Sequence, residues 1–377
     1  MLEKDKHRAF VIRCLSERTA LFYLSEPMRL STLYWALNSL SLLKEVEYVE
    51  SISDKVHKFV TLCQNADGGF GANVNYPSSP LYTLSALQIL YLLQKNKETH
   101  ILTAADPQEP SISAEEKRAG QFTIQDRVEE LLLSLLPNAE EKGDILENIG
   151  AGGGAEGSGV FSAPNYILCN AYLETLVTDE ELVGYGFGEL DLRHICCYAT
   201  SKNLLSQLSA GGPEMFYVLP QIKRTICEYV SRCINLDGGM GGEPGFESHA
   251  AHVFCGVCTL FTIGEIGMLD VEKCARFLAL RQMPSGGMSG RVDKKEDVCY
   301  SFWSYSSLLL LGKDAYIDRE MLKEYIFRCQ CEDGGFSDVP DAPPDLFHTM
   351  FSLAALGMLG DKLVMEVVPS LALCAYD

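Results

Sequence analysis

The sequence predicts an all-α fold in which helix pairs of about 48 residues, one inner and one outer helix each, stack into a closed ring. Three observations carry this prediction. A glycine-glycine turn recurs at constant spacing, a second glycine ends an apolar run at the same spacing, and that run is apolar nearly all round. Such pairs can form an open solenoid or a ring; a wholly apolar inner helix favours the ring, which buries it.

Met1 to Arg8 is charged throughout and offers no h-region of a signal peptide. Ile52, Val56, Phe59, Val60 and Cys63 follow helical spacing and share one face. Gln64-Asn65-Ala66-Asp67-Gly68-Gly69-Phe70 then opens the turn pattern, where a helix C-cap needs the left-handed backbone that glycine tolerates. Asn235 to Met240, Gln282 to Met288 and Gln330 to Phe336 repeat it, with glycine pairs starting at 238, 286 and 334, a step of 48 residues. Ile263-Gly264, Leu311-Gly312 and Leu359-Gly360 keep the same step. The unit near Tyr185-Gly186-Phe187-Gly188 is degenerate: Phe187 lies 117 residues after Phe70, where two periods take 96. The excess falls in Tyr91 to Glu181, which holds 17 acidic and 6 basic residues. Pro107 to Ser113 and Ala151-Gly152-Gly153-Gly154 read as linker. Residues 100–122 and 137–182 are therefore expected to be flexible acidic insertions on a single domain spanning 1–377.

Composition narrows the class. With 47% apolar and 22% charged residues the chain reads as soluble and globular, and no run approaches the ~20 apolar residues of a membrane span. A net charge of −20 argues against a nucleic-acid footprint. The 14 cysteines are scattered through apolar segments, which suits buried reduced thiols in a cytoplasmic protein rather than a disulfide framework.

The repeat also points to a site. His249, Asp297 and Asp345 each stand ten residues after the second glycine of a pair, at the mouth of an inner helix. Three residues further on stand His252, Tyr300 and His348. A ring brings equivalent positions to one rim, and helix capping alone does not require His or Tyr there. Asp297-Val298-Cys299 can bind one ion only where the backbone still unwinds into its helix, because residues two apart do not share a helix face. With His348 these residues would make a three-ligand site with an open fourth position, the catalytic form of zinc coordination. Spacing leaves another reading open: Asp297 caps a helix, Cys299 is core and His348 is a satisfied buried histidine. Cys255-Gly256-Val257-Cys258 and Cys329-Gln330-Cys331 lack partner pairs at finger spacing and read as packing. Arg291 and Lys294, near His249 and Tyr300 by the repeat, form with them a donor cluster that suits a diphosphate, and the other reading of the same stretch is a solvated surface loop. No Asp-Asp-x-x-Asp run is present.

Leu24-Ser25-Glu26-Pro27-Met28-Arg29-Leu30-Ser31-Thr32-Leu33-Tyr34-Trp35, Leu81 to Ala86, Gly188 to Arg193, Glu247 to Ala250, Asp297 to Trp303 and Asp345 to Thr349 resemble protein prenyltransferase β-subunits. The resemblance covers nearly the whole chain outside the acidic segment, and the Leu-Ser-Glu stretch is most similar to the type II, Rab-directed geranylgeranyl form. It implies an α–α barrel (toroid) of inner and outer helices, paired with a helical-repeat α-subunit. It implies catalytic zinc, one ion per β-subunit, on Asp297, Cys299 and His348. It implies diphosphate contacts from His249, Arg291, Lys294 and Tyr300, with Arg193 and Trp303 lining an isoprenoid tunnel. Ser31 falls where the farnesyl enzyme has a bulky tryptophan, which would deepen the tunnel for a C20 chain. Asp338 falls where relatives carry an aspartate linked to Mg2+ at the diphosphate. The implied reaction transfers geranylgeranyl from geranylgeranyl diphosphate to C-terminal cysteines of a Rab GTPase presented by Rab escort protein. Farnesyl or type I geranylgeranyl transfer to CaaX proteins, a terpene-cyclase-like barrel and a non-catalytic lipid-binding scaffold are the competing readings.

Overall fold

The computed structural model describes residues 1–18, 20–105, 164–178, 181–183, 190–209 and 216–376. Thirteen α-helices are described: α1 (Lys4–Ser16), α2 (Ala20–Leu24), α3 (Arg29–Leu42), α4 (Val46–Leu62), α5 (Pro80–Ala105), α6 (Tyr166–Glu174), α7 (Leu192–Leu208), α8 (Pro220–Cys233), α9 (Ala250–Ile263), α10 (Val271–Ala279), α11 (Cys299–Leu310), α12 (Arg319–Arg328) and α13 (Leu346–Met358).

The expected alternation of outer and inner helices is present. Outer α8 is amphipathic, burying Ile222, Ile226, Tyr229, Val230 and Cys233, while Pro220 at its first turn has no N–H to leave orphaned. Outer α6, α10 and α12 are capped by Asn165, Asp270 and Asp318, whose side chains accept backbone N–H groups of the first turn. Inner α9 and α13 are buried on almost every side. Each fully buried leucine there, such as Leu353, contributes about 1.5–3 kcal/mol. The inner helices pack in the order α3, α5, α7, α9, α11, α13, and α13 packs back on α3. The ring is closed, as the apolar inner helices led one to expect.

Each turn docks on the next outer helix. Gly68, Gly238, Gly286 and Gly334 have φ of +91°, +86°, +90° and +91°. A Cβ on them would come within 2.0, 2.5, 2.2 and 2.1 Å of the carbonyl oxygens of Leu168, Lys273, Met321 and Lys6. The fourth turn thus lands on α1 and closes the ring. At three of the four turns a glutamine six residues before the final aromatic or methionine clamps the same junction; the Gly238 turn has Ile234 there. Gln64 exchanges two hydrogen bonds with the backbone of Asn165 (2.8 and 3.1 Å), and Gln282 does the same with Asp318 (both 2.8 Å). Gln330 accepts from Glu3 N–H at 3.2 Å and lies 3.0 Å from Nε2 of the buried His7.

The same register corrects the reading of the acidic segment. Leu168 lies 100 residues after Gly68, whereas Lys273 and Met321 lie 35 residues after their glycines. The 65 additional residues therefore enter between Gly68 and Leu168. The second expected insertion, 137–182, overlaps the scaffold: α6 buries Cys169, Tyr172 and Leu173, and it reaches α7 without excess length. The rest of both intervals lies largely outside the described residues, as does the degenerate Tyr185–Gly188 unit.

A short antiparallel pair, β1 (Val367–Val368) with β2 (Leu373–Cys374), plugs the barrel from the side of the inner-helix C-termini. Tyr34 Oη and Asn38 Nδ2 donate to Ala372 O (2.6 and 2.9 Å), and Gln88 Nε2 donates to Leu371 O (2.8 Å). The opposite rim carries the inner-helix N-termini.

Two glycine substitutions separate docking from conformation. Gly264 has φ +79° with nothing within 4 Å of an added Cβ, so Gly264→Ala should cost only about 1–2 kcal/mol. Gly286→Ala adds a collision with Met321 and should cost clearly more in urea unfolding; equal losses would contradict the docking of turns on outer helices.

Candidate metal centre and anion-binding rim

Inter-repeat hydrogen bonds lace the rim. The first N–H groups of inner helices donate to the following repeat's loop: Leu30 to Ala72 O (2.9 Å), Leu192 to Gly242 O (2.9 Å), Ala250 to Gly290 O (2.7 Å) and Val298 to Asp338 O (2.8 Å). The equivalence of His249, Asp297 and Asp345 is visible in the backbone, since their N–H groups donate to Met240, Met288 and Phe336, the residues after the glycine pairs. Inner-helix N-termini gathered at one rim favour anions there.

Asp297, Cys299 and His348 come together: their ligand atoms all lie within 4.8 Å of one another. Cys299 is the first residue of α11, and Asp297 precedes it on non-helical backbone, which lets residues two apart face one point. Asp297 Oδ1 accepts the Cys299 N–H at 2.9 Å. His348 enters from α13 with Nε2 3.5 Å from Asp297 Oδ1. Its Nδ1–H donates to Asp345 Oδ2 at 2.6 Å, which fixes the tautomer and turns Nε2 toward the other two ligands. One thiol, one imidazole and one carboxylate fit a borderline-soft divalent ion such as zinc, with three of its four tetrahedral positions supplied by the protein. Among the described residues no other cluster of three such groups meets this geometry. Cys258 and Cys331 instead donate to the carbonyls of Ser370 and Ala342, in line with their reading as packing.

The carboxylates set the protonation states of the centre. Burial opposes charge on Asp297, but hydrogen bonds from His348 and Cys299 hold its carboxyl below the usual range. Burial pulls His348 down, yet Asp297 and Asp345 outweigh it and raise it to about 9. Burial, reinforced by the Asp297 charge, pushes the Cys299 thiol well up. At neutral pH the metal-free triad thus holds a carboxylate, a thiol and an imidazolium, and an ion would displace one proton from each of the last two.

The residues expected to meet a diphosphate lie alongside. His249 caps α9, its Nδ1 accepting the Ala251 N–H at 3.2 Å, so the proton sits on Nε2, 3.3 Å from Tyr300 Oη. Burial, with His252 and Arg291 adding to it, lowers His249 to about 4, leaving a neutral donor. Gly290 gives the Tyr300 ring its room, since a Cβ there would come within 2.6 Å of Tyr300 Oη. Arg291 donates to Glu247 Oε2 at 2.6 Å, and Lys294 is exposed on the same loop. Arg193 opens α7 at the rim, largely exposed, with Nε bonded to Asp191 Oδ2 at 2.9 Å. Trp303 lies deeper, against Phe254 (4.9 Å) and Phe351 (4.3 Å), and Ser31 Oγ is buried 3.0 Å from Ser85 Oγ. Asp338 offers its carbonyl to Val298, while its carboxylate accepts the Val339 N–H. Sequence reasoning missed the roles of Asp345 and Glu247. For Asp345 the signal was present, as a carboxylate three residues before a histidine at a helix start.

This fold and site define the class. The prenyltransferase alpha-alpha toroid domain family matches residues 2–124 and 168–373, and the chain belongs to it. The geranylgeranyl transferase type-2 subunit beta of Candida albicans is 29% identical over 275 residues, 72% of this chain and 61% of that protein, so the chain aligns to under two thirds of its length. The Saccharomyces cerevisiae type-2 subunit beta is 27% identical over 287 residues, 75% of this chain and 66% of that one. The protein farnesyltransferase subunit beta of Pisum sativum is 31% identical over 95 residues, 25% of this chain and 20% of that one. The Candida albicans protein geranylgeranyltransferase-I complexed with GGPP shares the fold, with TM-score 0.67 at 18% identity over 99% of this chain and 96% of that one. The relatives it resembles are thus β-subunits of protein prenyltransferases. No described helix is long and apolar enough to cross a membrane.

Two outcomes test the centre. Zinc affinity, measured by chelator competition, should rise with pH between 6 and 8, approaching about tenfold per pH unit for each proton released; a flat profile would contradict the protonation states given above. Asp345→Asn, which keeps the size but not the charge, should weaken zinc binding by about 10–100-fold, and unchanged affinity would remove Asp345 from the centre.

Proposed function

We propose that this chain is the catalytic β-subunit of a zinc-dependent type II protein geranylgeranyltransferase. In this reading a single domain works as a heterodimer with an α-subunit in the cytoplasm and modifies C-terminal cysteines of Rab GTPases presented by an escort protein. The observation that carries it is the convergence of Asp297, Cys299 and His348 beside a rim of anion donors. The Candida albicans and Saccharomyces cerevisiae type-2 subunits align over about three quarters of the chain, and the pea farnesyltransferase β-subunit over a quarter, which supports the type II reading.

Asp297, Cys299 and His348 would hold the zinc, which when bound lowers the pKa of a substrate thiol so that thiolate is present near neutral pH. Arg291 and Lys294 bring positive charge to the diphosphate, and His249 Nε2–H and Tyr300 Oη–H add neutral donors. As sulfur bonds to C1 of the lipid, the C1–O bond breaks and its electron pair leaves with the diphosphate. Those four groups then face the growing charge. Arg193 and Trp303 are assigned to the lipid wall, Ser31 to chain-length selection and Asp338 to a magnesium ion at the diphosphate.

Match to a farnesyltransferase β-subunit keeps CaaX transfer as the second reading. Transfer assays on the heterodimer separate the two. Rab with escort protein should accept the C20 lipid, a CaaX peptide should not, and Ser31→Trp should move preference toward the C15 donor by about tenfold or more. Modification of the peptide but not of Rab would establish the second reading instead.

A further inference from the structure

Position 252 is the structural repeat of position 300. Gly290 gives the Tyr300 ring its room, and Gly242 does the same for His252: a Cβ on Gly242 would stand 2.9 Å from His252 Cε1. His252 therefore sits one repeat further round the rim, toward α7, in the place that Tyr300 takes in its own repeat. The ring centroids of His249 and His252 are 5.2 Å apart, and those of His249 and Tyr300 are 5.5 Å apart, so His249 touches both of the equivalent rings. His252 Nδ1 is buried without a hydrogen-bond partner, although native structures pair nearly all such atoms. The charged and titratable groups facing this ring are Asp191, which caps α7, Arg193 in the first turn of α7, and His249, which caps its own helix.

We infer that His252 is a further diphosphate-binding residue, extending the Tyr300–His249 pair toward Arg193; this rests on the prenyl-transfer reading above. A neutral imidazole can carry its proton on either nitrogen; with Nδ1 closed off from solvent, Nε2–H is the group that can donate to a phosphate oxygen. Burial holds His252 below its ordinary pKa, while Asp191 and Arg193 pull in opposite directions. A multivalent anion favours the charged form, so binding should draw in a proton.

The test is calorimetry on the purified heterodimer with geranylgeranyl diphosphate, inorganic pyrophosphate and geranylgeraniol, in two buffers of different ionisation enthalpy. His252→Phe should weaken both diphosphates by about tenfold or more and lower proton uptake, with geranylgeraniol unchanged. His252→Gln, which retains a donor, should recover most of the affinity and shows that the site still folds. If His252→Phe weakens geranylgeraniol equally, His252 is a packing residue and the inference fails. If Arg291→Ala weakens the diphosphates and His252→Phe does not, only the His252 inference fails. If neither variant does, the rim is not the diphosphate site and the prenyl-transfer reading falls with it.

Discussion

The docking of the Gly334 turn on α1 is the contact on which the rest of the structure depends. It joins the last repeat to the first, and so holds α13 against both α11 and α3. His348 stands on α13, while Asp297 and Cys299 stand at the start of α11, so the triad exists only while these helices keep their level. The seam is built like the junctions at Gly68 and Gly286, by a positive-φ glycine under a carbonyl and a glutamine bonded to the next outer helix. It adds a buried imidazole: His7 accepts the Gly335 N–H at 2.9 Å and stacks on Phe336 at 4.6 Å. The plug formed by β1 and β2 closes the other end, leaving the rim as the side on which chemistry is concentrated.

One rim holds two opposite electrostatic demands. At α11 and α13, carboxylates gather around a thiol and an imidazole, a setting that favours a cation. At α9 and the 290–294 loop, helix N-termini, Arg291 and the neutral donors His249 and Tyr300 favour an anion. Tyr300 joins the two regions, lying next to Cys299 in sequence and within reach of His249 in space. A thiol presented beside the cation site and a diphosphate held on the anion site would meet across this boundary.

Much of this was legible in the sequence because it rests on backbone conformation. A turn at φ near +90° under a carbonyl demands glycine, so the positions 68, 238, 286 and 334 stand out. Equivalent hydrogen bonds place His249, Asp297 and Asp345 on equal footing, and the repeat revealed that too. The ring-closing contacts were not legible, since Gln330 meets Glu3 and His7 across more than 320 residues with no marker on α1. Helix α6 was hidden because its apolar face, Cys169, Tyr172 and Leu173, follows a long acidic stretch. The hold of Asp345 on His348, and the orphaned nitrogen of His252, depend on side-chain directions that spacing does not supply.

Zinc K-edge X-ray absorption on the metal-loaded heterodimer tests the central claim most directly. Coordination by Asp297, Cys299 and His348 predicts one sulfur at about 2.3 Å and the remaining ligands nitrogen or oxygen at about 2.0–2.2 Å. A shell with no sulfur, or with two or more, would contradict this centre and the account of the rim built around it.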